Sequence, residues 1–274
     1  MLFNLDKMLD ATAESTFFSQ NRLLMFLNFV YIISAPLMYS GEIKEATPYS
    51  KFAAPVQEEK KAKMIPSREG MLFIYFPAVL VAGIYILAVS LGLTSRFEMN
   101  LAAFMVLIHF LKRTLEVLFL HKYSGSTVLS AARAIGFMYA SHALLICTTS
   151  NSAASQTTAL VGTSLFVVGT VGNFYHHYLL ASLRSSDSNK GEGKKYVAPK
   201  GGLFEYVAAP HYLFELLGWL GIAVASAQIT AYTIFVTMVA YLGARSYNQN
   251  EWNKGKFSKK EWPPSRKNLV PFVY

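Results

Sequence analysis

Apolar residues in this chain gather into runs about as long as a bilayer core is thick, and polar residues gather between them. Seven such runs stand out, at 21–39, 71–92, 100–120, 130–148, 157–183, 206–225 and 228–244. A backbone in lipid finds no water to bond, so each run must satisfy its own N–H and C=O groups as an α-helix. Only Ser226, Ala227 and Gln228 separate the last two. The pattern predicts an all-α polytopic membrane protein, a seven-transmembrane-helix bundle. Residues 1–20 carry Phe3, Leu5, Met8 and Leu9 among polar groups and are expected to form an interfacial segment. The first run reads as a retained signal-anchor, and 21–274 as one membrane domain without internal repeats.

Composition agrees. Hydrophobic residues make up 53% of the 274 and charged residues 15%, where a soluble domain carries about 25% charged; the mean hydropathy is +0.31. Charge then orients the bundle. Of the 25 lysines and arginines, 19 fall in 40–70, 121–129, 184–205 and 245–274, against Lys7, Arg22 and Arg96 on the other side. This positive-inside asymmetry places the N-terminus outside and the C-terminus in the cytosol. The net charge of +9 is thereby read as topology. No basic patch interleaved with aromatics points to nucleic acid. Cys147 is the only cysteine, which excludes disulfide and cysteine-metal frameworks. Six histidines with one adjacent pair, His176-His177, fall short of the clusters a membrane di-iron hydroxylase needs, and no metal site is expected.

Within the third run, the stretch His109 to Gly125 carries His109, Lys112, Arg113 and Glu116. Ionisable groups at membrane depth face a bundle interior or a wet cavity. Spacings of four and three put His109, Arg113 and Glu116 on one helical face, a stripe suited to an anionic cofactor. The competing reading is an Arg113–Glu116 pair that only pins neighbouring helices. The fifth run repeats the theme: Asn173, His177 and Arg184 share one face, with Arg184 at the cytosolic end. Beyond it come Tyr196, the pair Gly201-Gly202, and His211 and Glu215 one turn apart after Pro210. A dinucleotide fingerprint is absent, since Gly191-Glu192-Gly193 follows no strand.

Taken in order, H-x-x-x-R, G-N-x-x-x-H-x-x-L-x-x-L-R, Y-x-x-P-x-G-G-L-F, H-Y-x-x-E and the terminal S-R-K-x-L-x-P-F-x-Y resemble the steroid 5α-reductase family. That family includes the very-long-chain trans-2-enoyl-CoA reductases, and the resemblance runs from about Ile65 to Tyr274. It implies a seven-helix endoplasmic-reticulum enzyme with a cytosolic C-terminus. Such an enzyme uses NADPH to reduce a carbon–carbon double bond conjugated to a carbonyl on a membrane lipid. It further implies cofactor contacts at His109, Arg113, Asn173, Arg184, Tyr196, His211 and Glu215, to which the shared face adds His177. Two departures bear on the substrate. Steroid reductases carry a tyrosine where this chain has Phe110, and a glutamate where it has Tyr75. Tyr75 is read as a displaced proton donor, and Glu116 joins it as a catalytic candidate. The histidines that often precede a C-terminal tyrosine are replaced in Tyr247-Asn248-Gln249-Asn250-Glu251-Trp252, where Asn248 is the substitute cofactor contact. A steroid-like 3-oxo-4-ene lipid is the expected substrate. An enoyl thioester, favoured by the K-R-T-L-E run around Arg113, stays open, and so does an inactive scaffold.

Overall fold

Two helices start at asparagine caps. A computed structural model describes residues 21–49, 52, 62–123, 125–152, 154–187 and 196–274, with the side chains of 184–187 outside the description. The expected interfacial segment 1–20 lies outside these residues. Helix α1, Arg22–Lys44, starts at Asn21, whose carboxamide accepts from the Leu23 and Leu24 N–H groups at 2.9 and 3.3 Å. Helix α2 is Ser67–Ser90. Helix α3, Leu101–Leu115, starts at Asn100, which accepts from Ala103 N–H at 2.9 Å. These side chains satisfy amides that have no partner inside the helix. Helices α4 (Leu129–Thr149) and α5 (Gln156–Asp187) follow. Helix α6, Pro210–Ser226, has proline in its first turn, where no amide is needed. It is cut from α7, Ile229–Lys256, by Ala227 in a left-handed conformation at φ 51°.

The described residues thus form seven helices, and four regions are long and apolar enough to cross a membrane: α1, α2, α4 and Gln156–Leu183 of α5. Helices α3 and α6 are shorter, at 15 and 17 residues. Helix α1 buries only Asn28, Ala35 and Glu42. Phe26, Phe29, Ile32, Ile33 and Leu37 point outward, an apolar exterior of the kind lipid accommodates.

A two-stranded ribbon, absent from the apolar pattern, organises one end of the bundle. Strand β1 (Met64–Pro66) pairs antiparallel with β2 (Ser126–Val128), Met64 opposite Val128. Each strand runs directly into a helix, β1 into α2 and β2 into α4. Further bonds from Ser67 N–H to Gly125 O (3.0 Å) and from Leu129 N–H to Lys63 O (2.9 Å) tie the two starts together. The helices then rise side by side, so close that Gly136 of α4 has no room for a methyl group beside the Phe73 carbonyl of α2.

The tightest seam is α5 on α6. A methyl on Gly169 would fall 2.7 Å from the Gly218 Cα, one on Gly162 2.7 Å from the Ala225 N, and one on Gly221 2.5 Å from the Phe166 N. Small residues let membrane helices approach backbone to backbone, where dispersion replaces the missing hydrophobic force. Gly169→Leu is therefore expected to force the pair apart. Overpacking costs about 1–3 kcal/mol or more, which should appear as a lowered melting temperature and loss of monodisperse protein in detergent.

Candidate active site

The site begins where α3 stops being an α-helix. After Leu115 the backbone opens into a π-turn, Glu116–Leu120, closed by His121 N–H on Glu116 O at 2.8 Å. Single wide turns of this kind recur at functional positions. Here the turn begins at the one carboxylate of the helix, and Glu116 is buried with Arg113 beside it.

Arg113 is the hub. Its Nη1 donates to Glu116 Oε2 at 2.6 Å and lies 2.9 Å from His177 Nδ1 on α5. Its Nη2 donates to the Tyr75 hydroxyl on α2 at 2.6 Å, with the guanidinium carbon 4.7 Å from the centre of that ring. One planar fork thus joins three helices, a geometry that lysine cannot reproduce. Lys112 Nζ reaches the other Glu116 oxygen at 2.9 Å and also donates to Asn173 Oδ1. His177 Nδ1 sits 3.0 Å from Glu116 Oε2. It can accept from Arg113 or donate to Glu116, and the tautomer selects which. A buried carboxylate that costs several kcal/mol alone is here matched by two cations.

Glu116, His121 and His177 bring ligand-type atoms within 4.8 Å of one another. Arg113 and Lys112 already occupy both carboxylate oxygens, so a metal ion would enter against two fixed positive charges. The cluster suits an ion-pair hub better than a metal.

Helices α5 and α6 supply the second half. Asn173 donates to His211 O at 2.7 Å and to Glu215 Oε2 at 3.3 Å. The His211 ring lies 5.4 Å from that of His177. His109, Lys112, Asn173 and Glu215 line one tight cleft with Gly169 and Gly218. His176, next in sequence to the hub histidine, does something else. Its Nε2 accepts from Leu203 N–H at 3.1 Å and its Nδ1 lies 2.7 Å from Gly172 O, which lashes the Gly201-Gly202 turn to α5. Both glycines have positive φ, 86° and 53°, a conformation glycine adopts without steric cost.

Beside the hub stands an aromatic wall. Tyr75 stacks on Tyr139 of α4 at 6.0 Å, and Tyr139 stacks on Trp219 of α6 at 6.4 Å. Phe110 meets both Tyr139 and Trp219, at 5.2 and 5.9 Å, and His109 packs on Trp219 at 5.1 Å.

The structure therefore brings His109, Arg113, Glu116, Tyr75, Asn173, His177, His211 and Glu215 together from four helices. Sequence reasoning noted Lys112 without giving it a contact, and left out the wall residues Tyr139 and Trp219. Lys112 was legible, because it stands four residues before Glu116, the favoured helical ion-pair spacing. The side chain of Arg184 lies outside the described residues.

A family model for 3-oxo-5-alpha-steroid 4-dehydrogenase matches residues 125–274, more than half of the chain. The chain belongs to that family. Among relatives, it is 36% identical over 114 residues to 3-oxo-5-alpha-steroid 4-dehydrogenase 1 of Rattus norvegicus, covering 42% of this chain and 41% of the relative. It is 33% identical over 114 residues to steroid 5-alpha-reductase DET2 of Solanum lycopersicum, covering 42% of each. Against the very-long-chain enoyl-CoA reductase of Dictyostelium discoideum the identity is 24% over 182 residues, covering 65% of this chain and 59% of the relative. The matched stretch thus spans about two fifths of the steroid-dehydrogenase relatives. Within this chain the family match holds α4 to α7 and the C-terminus. The α2–α3 half of the site, with Tyr75 and Arg113, precedes it.

The family segment ends in a polar cap. Arg266 donates to Pro199 O and Glu205 Oε2, both at 3.2 Å, and lies over the Trp262 ring. Burial draws this guanidinium below its usual range. Trp262 Nε1 donates to Asn250 Oδ1 at 2.8 Å. Arg245, also of α7, donates to Glu42 Oε1 of α1 at 2.8 Å between the Tyr49 and Phe52 rings; burial pushes the Tyr49 phenol up. Asn248 belongs to this clamp, donating to Glu42 O at 2.5 Å. Tyr196 is half exposed and packs on Trp252 at 4.9 Å. Neither Asn248 nor Tyr196 touches the Arg113 network in the bonds described.

Proposed function

We propose that this protein is an NADPH-dependent membrane reductase of a carbon–carbon double bond conjugated to a carbonyl, acting on a steroid- or sterol-like 3-oxo-4-ene lipid. The reading places it in the endoplasmic-reticulum membrane with seven spans, N-terminus outside and C-terminus cytosolic. The lysine and arginine asymmetry supports that topology, as do seven helices at the seven apolar runs.

One observation carries the chemistry: the buried Tyr75 hydroxyl accepts a 2.6 Å bond from Arg113. Its oxygen is taken as acceptor by a cation, so its own proton is free to be donated. A carbonyl oxygen set against Tyr75 would meet a polarised donor at the moment negative charge builds there. Arg113 lowers the cost of charge on the phenol oxygen, and Glu116 and His177 hold Arg113 in place. We therefore assign Glu116 to positioning, since Lys112, Arg113 and His177 already surround its carboxylate. The α-carbon then takes its proton from Tyr75 or water.

The donor set fits a reduced pyridine nucleotide. Lys112 and Arg113 add cationic charge, Arg113 Nε is buried without a hydrogen-bond partner among the described residues, and Asn173 and Glu215, bonded to each other, hold the donor and acceptor that a carboxamide would take over. His109 lines the same cleft, His211 O bonds its Asn173, and His177 stands on Arg113. Arg184 and Tyr196 are assigned to the phosphate-bearing end, and Asn248 to its margin. When bound, NADPH supplies the hydride for the β-carbon.

A second reading, trans-2-enoyl-CoA reduction in very-long-chain fatty acid elongation, is favoured by the longer alignment with the Dictyostelium discoideum enzyme. The test is purified protein with NADPH and each substrate type, followed by product mass spectrometry. The proposal expects reduction of the 3-oxo-4-ene. Reduction of the enoyl thioester alone would replace it with the second reading, and reduction of neither would sink both.

A further inference from the structure

Three polar atoms deep in the bundle have no part in that chemistry. Both ring nitrogens of His142 on α4 and the indole Nε1 of Trp219 are buried without a hydrogen-bond partner among the described residues. Each of the two side chains is only 1% exposed. Native interiors rarely leave such groups unsatisfied, and those that remain call for a missing partner.

The groups sit together at a definite depth. The His142 ring lies 6.3 Å from the Trp219 ring and 6.3 Å from Tyr139, whose own ring stacks on Tyr75 at 6.0 Å. Helices α2 and α4 rise in parallel from the β-ribbon. Tyr75 stands eight residues beyond Ser67, about 12 Å along its helix, and His142 thirteen residues beyond Leu129, about 20 Å along. His142 therefore marks the deeper end of an aromatic wall whose other end is the Tyr75–Arg113 pair. Tyr31 of α1 tilts against the His142 ring at 5.5 Å. It is half-buried, on a helix that packs chiefly against α7.

We propose that His142, with Trp219, is a second polar contact for the lipid substrate, hydrogen-bonding an oxygen at the end of a rigid ring system opposite the reacting enone. The inference rests on the reductase reading and narrows its substrate to a polycycle oxygenated at both ends. A neutral imidazole carries one donor and one acceptor, and an indole only a donor. A distal ketone accepts from the imidazole's donor nitrogen and from the indole, whereas a distal hydroxyl can accept from the indole and donate to the imidazole's other nitrogen. An acyl chain has no polar atom to offer at that depth and would leave all three nitrogens unsatisfied. The wall between the two ends is aromatic and apolar, as the hydrocarbon middle of such a ligand requires.

Two ligands separate the outcomes: a fused-ring 3-oxo-4-ene with a distal ketone, and the same ring system with a distal hydrocarbon. Binding to the full chain in detergent is read by equilibrium dialysis, and turnover with NADPH is read in parallel. The wild type should prefer the ketone by about tenfold or more. His142→Phe should abolish the preference through KM for the ketone while leaving kcat and the hydrocarbon ligand nearly unchanged. His142→Gln, which keeps a donor and an acceptor, should retain most of it. If His142→Phe is not recovered folded, Trp219→Phe must weaken the preference instead. Equal binding of both ligands by the wild type, as expected if a water satisfies these nitrogens, overturns the proposal. Discrimination that survives His142→Phe overturns it too. A ketone preference without reduction of either ligand removes the reductase reading and leaves the binding site standing.

Discussion

Arg113→Ala is expected to remove ene-reductase activity and to lower the melting temperature of the solubilised protein. The guanidinium bonds Glu116, Tyr75 and His177 at once, so its loss leaves a buried carboxylate with Lys112 as its one close cation. Breaking a buried ion pair from one side costs about 3–5 kcal/mol, a large part of any single domain's stability. Arg113→Lys separates the two effects. A lysine restores the charge, and with it much of the melting temperature. It cannot span Tyr75 and Glu116 from one planar fork, so turnover should stay low. Recovery of full activity in the lysine variant would show that charge alone is needed and that the Tyr75 contact is incidental.

The second large effect belongs to Tyr75. Tyr75→Phe keeps the ring that stacks on Tyr139 and deletes only the hydroxyl. Removing a donor aimed at developing negative charge lowers kcat by about 10²–10³-fold. The apparent KM for NADPH should move little, because no role in cofactor binding is assigned to that hydroxyl. A stability loss of about 1–3 kcal/mol is expected as well, since Arg113 Nη2 is left without its acceptor. Steady-state kinetics at saturating NADPH reads the first effect and thermal unfolding the second. A variant with unchanged kcat would move the proton donor elsewhere.

How far these features can be read from the sequence depends on what each one requires. The helices are legible because lipid demands long uninterrupted apolar runs, and all seven expected runs contain a helix. The break between α6 and α7 was placed at Ser226–Gln228, though nothing about Ala227 announces its positive φ. The stripe of His109, Arg113 and Glu116 follows from helical spacing. The π-turn that begins at Glu116 does not, since hydropathy carries no mark of an i→i+5 bond. The β1–β2 ribbon joins three-residue segments about 60 positions apart in sequence, too short and too distant for any local pattern. The α5–α6 seam needs Gly162 and Gly169 of one helix to meet Gly218 and Gly221 of the other, and only packing reveals that they do. Tyr139, His142 and Trp219 are unremarkable apolar-helix residues until the helices converge. Tyr196 and Asn248 were drawn from resemblance, and in the structure they stand apart from the Arg113 hub, on Trp252 and Glu42.

The most direct measurement is isotope transfer. Purified protein is given a 3-oxo-4-ene steroid and NADPH deuterated at the transferable position of the nicotinamide, and the product is analysed by mass spectrometry. The account predicts a saturated product carrying a single deuterium at the β-carbon, formed by the wild type and lost in Arg113→Ala. A product without deuterium, or equal labelling by the Arg113→Ala variant, would contradict it.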